Sequence, residues 1–231
     1  MKRIGILGGS SDQATADYYR RLNKAFNDRL GGWNTAELLV SSMNFALAER
    51  WVRTGDWDAA ARYLTERAQA LEAAGADLLL CVSNTLHRVA PNFTAGLSIP
   101  FLHIVDPTAK AILAAGLTRV GLLGTKPVMA TDYVKRRYLE QFGVGILVPS
   151  PAEQDIVDRI IFDELCRGRF LPEAKERYLA IADRLADAGA EGVILGCTEI
   201  PMLIGQSDRP HLPMFDTVEL HVAAAVERAL A

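Results

Sequence analysis

The sequence predicts an α/β protein built from two pseudo-symmetric, doubly wound parallel-sheet domains. Three observations lead there. Gly75-Ala76-Asp77, an apolar run and Ser83-Asn84-Thr85 return as Gly189-Ala190-Glu191, an apolar run and Cys197-Thr198-Glu199, at an offset of 114 residues. Arg3-Ile4-Gly5-Ile6-Leu7-Gly8 returns as Arg119-Val120-Gly121-Leu122-Leu123-Gly124, at an offset of 116. Short apolar runs alternate with helical segments along the whole chain, the pattern of strand–helix units around parallel sheets.

The elements follow in order. Arg3–Leu7 reads as a first strand, and Ser11 or Asp12 caps a helix from about Gln13 to Arg29, which Gly31-Gly32 stops. Leu38–Ser42 is a second strand, Ala48–Asp58 a polar segment, and Trp57–Ala74 a helix closed by Gly75. The run ending at Ser83 is a buried parallel strand, and His87–Ala95 a short helix interrupted by Pro91. Ile99–Ile104 reads as a fourth strand, with Pro107 opening a helix. After the repeat at Arg119 come helices near 130–142, 153–167 and 172–188, the strand ending at Cys197, and a last helix from Thr217. The repeat sets one domain at 1–106 plus 209–231 and the other at 107–208.

Half of the 231 residues are hydrophobic, enough for a sizeable core, and the net charge of −3 is spread without a basic patch, which argues against a nucleic-acid partner. No apolar run approaches membrane-spanning length. Three cysteines with no C-x-x-C pair argue against a disulfide framework and a zinc site, so a reducing cytoplasm is the expected compartment. The first loop carries glycines at 5, 8 and 9, which do not match a dinucleotide fingerprint; the following helix N-terminus still suits a carboxylate.

Parallel strands put functional side chains at their carboxyl ends. Ser83 and Cys197 therefore occupy equivalent strand ends, and a hydroxyl and a thiol flank one cleft if the halves face each other. Cys197 sits after the strand, where nearby N–H groups ease loss of a thiol proton. Cys81, inside an apolar run, and Cys166, in a helix before Gly168, read as inert. Asn84, Thr85, Thr125, Thr198 and Ser10 supply donors for a substrate carboxylate, although Ser, Asn and Thr also bond locally in turns. His87 either shuttles a proton or packs. No G-x-S-x-G elbow is present.

Asn84-Thr85-x-His87 and Gly196-Cys197-Thr198-Glu199, with Gly8-Gly9 and Gly124-Thr125 after the repeated first strands, resemble the aspartate/glutamate racemase family over the whole chain. Tyr18-Tyr19, Leu30-Gly31-Gly32 and Phe215-Asp216-Thr217 are similar to its bacterial broad-specificity aspartate/glutamate members. The resemblance implies an active site in the cleft between two domains, no pyridoxal phosphate or metal, a homodimer, and an amino acid or small dicarboxylate as substrate. It also implies two-base racemisation, in which one cysteine takes the Cα proton and another returns one to the opposite face. The second cysteine maps to Cys197; the first falls on Ser83, a far weaker acid. Asp12 in the first loop is a second departure. Arg53 and Lys126 are candidates for a side-chain carboxylate. Two alternatives stand beside racemisation. One is a one-cysteine decarboxylase or isomerase of a small malonate or dicarboxylate; the other is a non-catalytic carboxylate binder.

Overall fold

A computed structural model describes residues 1–231, which divide into two units, Met1–His103 with His221–Ala231, and Ile104–Leu220. The first contains β1 (Ile4–Gly8), α1 (Asp12–Leu30), β2 (Leu38–Ser42), α2 (Phe45–Thr54), α3 (Trp57–Ala73), β3 (Leu78–Cys81), a 3-10 turn at Thr85–Val89 and α4 (Ala90–Thr94). The second contains α5 (Val105–Ala114), β4 (Arg119–Gly124), α6 (Lys126–Ala130), α7 (Asp132–Phe142), β5 (Gly145–Leu147), α8 (Pro151–Asp163), a 3-10 turn at Leu165–Arg167, α9 (Pro172–Asp187), β6 (Val193–Gly196) and β7 (Met214–Asp216). The unit boundary falls inside α10 (Thr217–Leu230). Residues 209–220 group with the second unit because β7 pairs with β6.

Both sheets are parallel throughout, in the order β2-β1-β3 and β5-β4-β6-β7. The repeated Gly-Ala-acid triplet does the same work in each. Gly75 and Gly189 take φ of 92° and 95°, a left-handed conformation open to glycine, and so turn the chain out of α3 and α9. The acid two residues later clamps the start of the neighbouring strand. Asp77 Oδ2 accepts the Arg3 N–H at 2.7 Å, and Glu191 Oε2 accepts the N–H groups of Thr118 and Arg119, both at 2.9 Å. Those two backbone donors hold the Glu191 carboxyl below its usual range.

Helices cover both faces of each sheet. In the first unit Leu79 and Cys81 point toward Trp51, Leu64, Leu71 and Phe93 of α2, α3 and α4. The alternate residues Leu78 and Leu80 are equally buried on the opposite side of the pleat, and α1 buries Tyr18, Leu22 and Phe26, one per helical turn. In the second unit Val120, Leu122 and Ile194 pack with Ile112 of α5 and Val134 and Tyr138 of α7. On the other face Leu185 of α9 comes to 2.9 Å from where a Gly121 Cβ would stand, so any side chain there would have to displace Leu185.

Two elements differ from the sequence reading. The segment Ala48–Asp58, read only as polar, is largely helical: Phe45–Thr54 is a helix, capped by the Asn44 side chain on the Ala46 N–H and stopped at Gly55, with φ of 71°. Ala48 and Trp51 are buried, Phe45 and Leu47 pack partly buried against the same core, and Arg50, Arg53 and Thr54 are exposed. The fourth strand of the first unit shrinks to one bridge, Leu79 with Phe101. Leu79 donates to the Pro100 carbonyl at 2.9 Å and accepts from the Leu102 N–H at 3.1 Å, and the chain then turns into α5. The matching Val193-to-Pro213 bond, at 2.8 Å, instead leads into three paired residues of β7.

A buried polar chain ties the C-terminal helix to the first unit. His221 Nε2 lies 2.9 Å from the Leu102 carbonyl, which only accepts, so Nε2 carries the proton. Nδ1, in neutral imidazole, then accepts the Tyr18 hydroxyl at 2.9 Å. Lys2 N–H also donates to the Ala229 carbonyl at 2.9 Å.

Candidate active site

In the first unit the loop after β1 turns at Gly9, with φ of 84°; a Cβ there would stand 2.1 Å from the Met43 carbonyl oxygen. Ser10 follows, partly exposed. Ser11, and not Asp12, is the cap of α1: its Oγ accepts the Ala14 N–H at 3.2 Å. Asp12 is an exposed first-turn residue whose carboxylate accepts from Gln13 at 3.2 Å.

β3 delivers Ser83, Asn84 and Thr85 into a buried position just past its last residue. Ser83 is 5 % exposed, and its Oγ accepts the Leu86 N–H at 3.2 Å. His87 Nδ1 donates to the Ser83 carbonyl at 2.7 Å, since a carbonyl can only accept. Its ring centroid lies 4.4 Å from that of His103 and 5.4 Å from that of Phe101. His87 thus braces the turn through its backbone.

In the second unit Gly124 and Gly196 are paired neighbours on β4 and β6. A Cβ on Gly124 would stand 2.8 Å from the Gly196 carbonyl oxygen, and one on Gly196 2.8 Å from the Leu123 carbonyl oxygen. Two glycines therefore let the strand ends close up, and Thr125 and Cys197 emerge side by side, both buried. Past Cys197 the chain coils through Ile200, whose N–H donates to the Cys197 carbonyl at 3.1 Å.

That coil folds Glu199 back. Cys197 Sγ donates to Glu199 Oε2 at 3.1 Å, and the Thr198 hydroxyl donates to the same oxygen at 2.7 Å. Cys166 Sγ lies 3.7 Å from the other oxygen, Oε1. Cys197 is 7 % exposed and Glu199 1 %. The thiol is not eased toward ionisation, as the strand-end position alone implied. Burial pushes it well above its ordinary value, and the Glu199 charge adds to the rise, outweighing the Glu199 N–H, which favours the thiolate. Cys81 is fully buried and is pushed up to about 12 by burial alone.

Each unit thus gathers its own set of expected residues: Ser83, Asn84, Thr85 and Ser10 around the ends of β3 and β1, and Cys197, Thr198 and Thr125 around those of β6 and β4. Thr198 differs from expectation in one respect, because its hydroxyl proton is committed to Glu199. The basic candidates already hold partners: Arg53 reaches Glu49 at 3.5 Å, and Lys126 Nζ pairs with Asp155. Sequence reading passed over Glu199 as a participant and placed Cys166 in a helix; it lies in the 3-10 turn after α8, against Glu199. The available signal for Glu199 was a carboxylate two residues past a thiol at the end of an apolar strand. No group of three or more His, Cys, Asp or Glu side chains is arranged to hold a metal ion, none of the three cysteines forms a disulfide, and no helix is long and apolar enough to cross a membrane.

Comparison with known proteins supplies a family. Residues 4–225 match the model of the Asp/Glu/Hydantoin racemases. A Yersinia pestis protein provisionally assigned as an Asp/Glu racemase is 36% identical, with all of each chain covered and a TM-score of 0.91. An aspartate racemase homologue from Pyrococcus horikoshii OT3 is 34% identical, again over all of both chains, with a TM-score of 0.85. A glutamate racemase of Parafrankia sp. is 30% identical over 147 residues, 62% of this chain and 51% of that protein, so the match spans about half of its length.

Proposed function

The chain belongs to the Asp/Glu/hydantoin racemase family, and from that premise we propose that it is a cofactor-independent amino-acid racemase acting on aspartate, glutamate or a close analogue. Cys197 is the acid/base that works on Cα, and Ser83 stands where the other base of the pair belongs. The observation that carries this reading is the thiol at the end of β6, directly bonded to a buried carboxylate. A thiol whose proton has a defined acceptor can cycle between acid and base, which general acid–base catalysis requires. Asn84, Thr85, Thr125 and Ser10 hold the substrate carboxylates by their polar groups, and Thr198 fixes Glu199. A homodimer, with no cofactor, completes the reading and is checked by light scattering of the purified protein.

Each enantiomer of aspartate, glutamate and their close analogues, incubated in deuterium oxide, is followed by NMR for Cα–H exchange and by chiral chromatography for racemisation. Exchange that disappears in Cys197→Ala supports the proposal; exchange that persists unchanged in that variant overturns it.

One observation favours a second reading. Cys197 is held as a protonated thiol, and Ser83 offers no second thiol. A single thiol acid is enough to protonate one face of a planar intermediate, the step a decarboxylase of substituted malonates needs. Carbon dioxide release from such malonates, without exchange of any amino acid, would favour it over racemisation.

A further inference from the structure

We infer that Thr15 is a positioning residue: its single hydroxyl holds both sides of Ser10 and so fixes the loop after β1 in the shape that receives a carboxylate of the substrate. The hold itself is a matter of the first unit's geometry; its use in turnover rests on the proposed racemase reading.

The loop between β1 and α1 consists of Gly9, Ser10 and Ser11, and Thr15 is the fourth residue of the helix that follows. Thr15 Oγ1 accepts the Gly9 N–H at 2.8 Å and donates to the Ser11 carbonyl at 2.7 Å. A hydroxyl has one proton to give and lone pairs to receive, so one group serves both bonds. Ser10, partly exposed, lies between the two held residues. Gly8 makes room for the arrangement, since a Cβ there would stand 2.8 Å from Thr15 Cγ2. On the opposite side of the loop the Met43 N–H donates to the Gly8 carbonyl at 3.0 Å, and Gly9 lies against the Met43 backbone.

Half of the hold is common helix chemistry. Thr54, Thr65, Thr94 and Thr108 also donate to the carbonyl four residues back. So does Thr131, which lies 116 residues beyond Thr15 and reaches the Pro127 carbonyl at 2.7 Å. The Gly9 bond is the other half, and it joins the helix to the loop. Gly9 takes a φ of 84°, and glycine has the widest backbone range of any residue. Without a partner for its N–H, Gly9 is the point at which the loop changes shape. A carboxylate is held well by groups already in place, because ordering a loose loop on binding costs affinity.

The test uses full-length protein and two independent readouts. The first is hydrogen exchange of the Gly9 amide, by NMR of isotope-labelled protein without substrate. Thr15→Val keeps the shape of the side chain and removes the hydroxyl; Thr15→Ser keeps the hydroxyl. Gly9 exchange rises about tenfold in the valine variant, as for one lost hydrogen bond, and stays within about twofold of the parent in the serine variant. The second readout is the kinetics of Cα–H exchange in aspartate and glutamate. A loosened loop weakens substrate and transition-state binding together, so KM rises about tenfold in Thr15→Val while kcat stays within about threefold. Thr15→Ser returns KM to the parent's range. In a Ser10→Ala background Thr15→Val raises KM by less than about threefold, because two changes acting through one contact are not additive. A Gly9 amide that exchanges no faster in Thr15→Val overturns the hold. A KM that serine does not restore, a fall in kcat at unchanged KM, or full additivity with Ser10→Ala overturns the positioning role. If the valine variant does not fold, Thr15→Ala, which carries the better helix former, is read in the same way. A parent that exchanges neither amino acid sinks the racemase reading, and with it the role in turnover, while the Gly9 amide still decides the hold.

Discussion

Replacing Ser83 by cysteine gives the first unit a thiol where racemisation needs a second base, yet the structure predicts that the single change does little. Ser83 is buried just past β3, and Cys81, the last residue of that strand, is pushed up to about 12 by burial. Burial likewise favours the protonated form of a thiol at position 83, whereas an unperturbed thiol of pKa ~8.5 is about a quarter ionised near pH 8. Nor does the first unit hold a proton acceptor in place: at the 114-residue offset the counterpart of Glu199 is Thr85. We therefore expect Ser83→Cys to raise exchange of the slower enantiomer only modestly. Ser83→Cys with Thr85→Glu rebuilds the thiol–carboxylate pair, and should raise it by about 10²- to 10⁴-fold over Ser83→Cys, the range of a recovered general base. The assay is Cα–H exchange of each enantiomer by NMR, with circular dichroism confirming that the introduced buried carboxylate leaves the fold intact. A single variant as fast as the double would refute the reasoning, because the thiol would then need no carboxylate.

Other expectations follow from the same geometry. Cys197→Ala should abolish exchange of either enantiomer's Cα proton and Cys81→Ala should not, as NMR in deuterium oxide will show. Tyr18→Phe leaves the buried His221 Nδ1 short of its donor and should cost about 1–3 kcal/mol in urea unfolding; a change within about 0.5 kcal/mol would mean that the pair contributes nothing. In the second unit Arg209 holds the Asp183 carboxyl below its ordinary value, through a paired contact with both oxygens at 2.7 Å. The resulting stability is present above the unfolded value near ~3.9 and lost as pH falls through the lower folded value. Arg209→Met should therefore flatten the loss of stability below about pH 4, measured by acid unfolding; an unchanged acid limb would remove the pair from the account.

Much of this was readable from the chain because each signal was local. β1, β3, β4 and β6 are runs of buried aliphatic residues, and burial on both faces writes itself into sequence as unbroken apolarity. The two glycines and two acids of the repeated triplet announced that the halves match. α2 escaped because Glu49, Arg50 and Arg53 made the stretch read as polar, although Asn44 and Gly55 marked its ends and Phe45, Leu47, Ala48 and Trp51 turn to the core. The fourth strand of the first unit failed for another reason: an apolar segment with the right composition meets its neighbour at only one residue before the next helix takes it away. The state of Cys197 was beyond sequence altogether. Its ionisation depends on burial and on the direction in which Glu199 folds back, and both are products of the coil after β6.

The division of the chain also sets an order of events during synthesis. The second unit is one continuous stretch, Ile104–Leu220, while the first is interrupted and needs His221–Ala231 to be whole. His221 bonds Tyr18 and Leu102, and Ala229 receives Lys2, so these contacts join residues made before the second unit to residues made after it. On a ribosome adding roughly 5–20 residues per second, the half begun first must wait for its final strap. The half begun second has all of its own residues before that strap emerges.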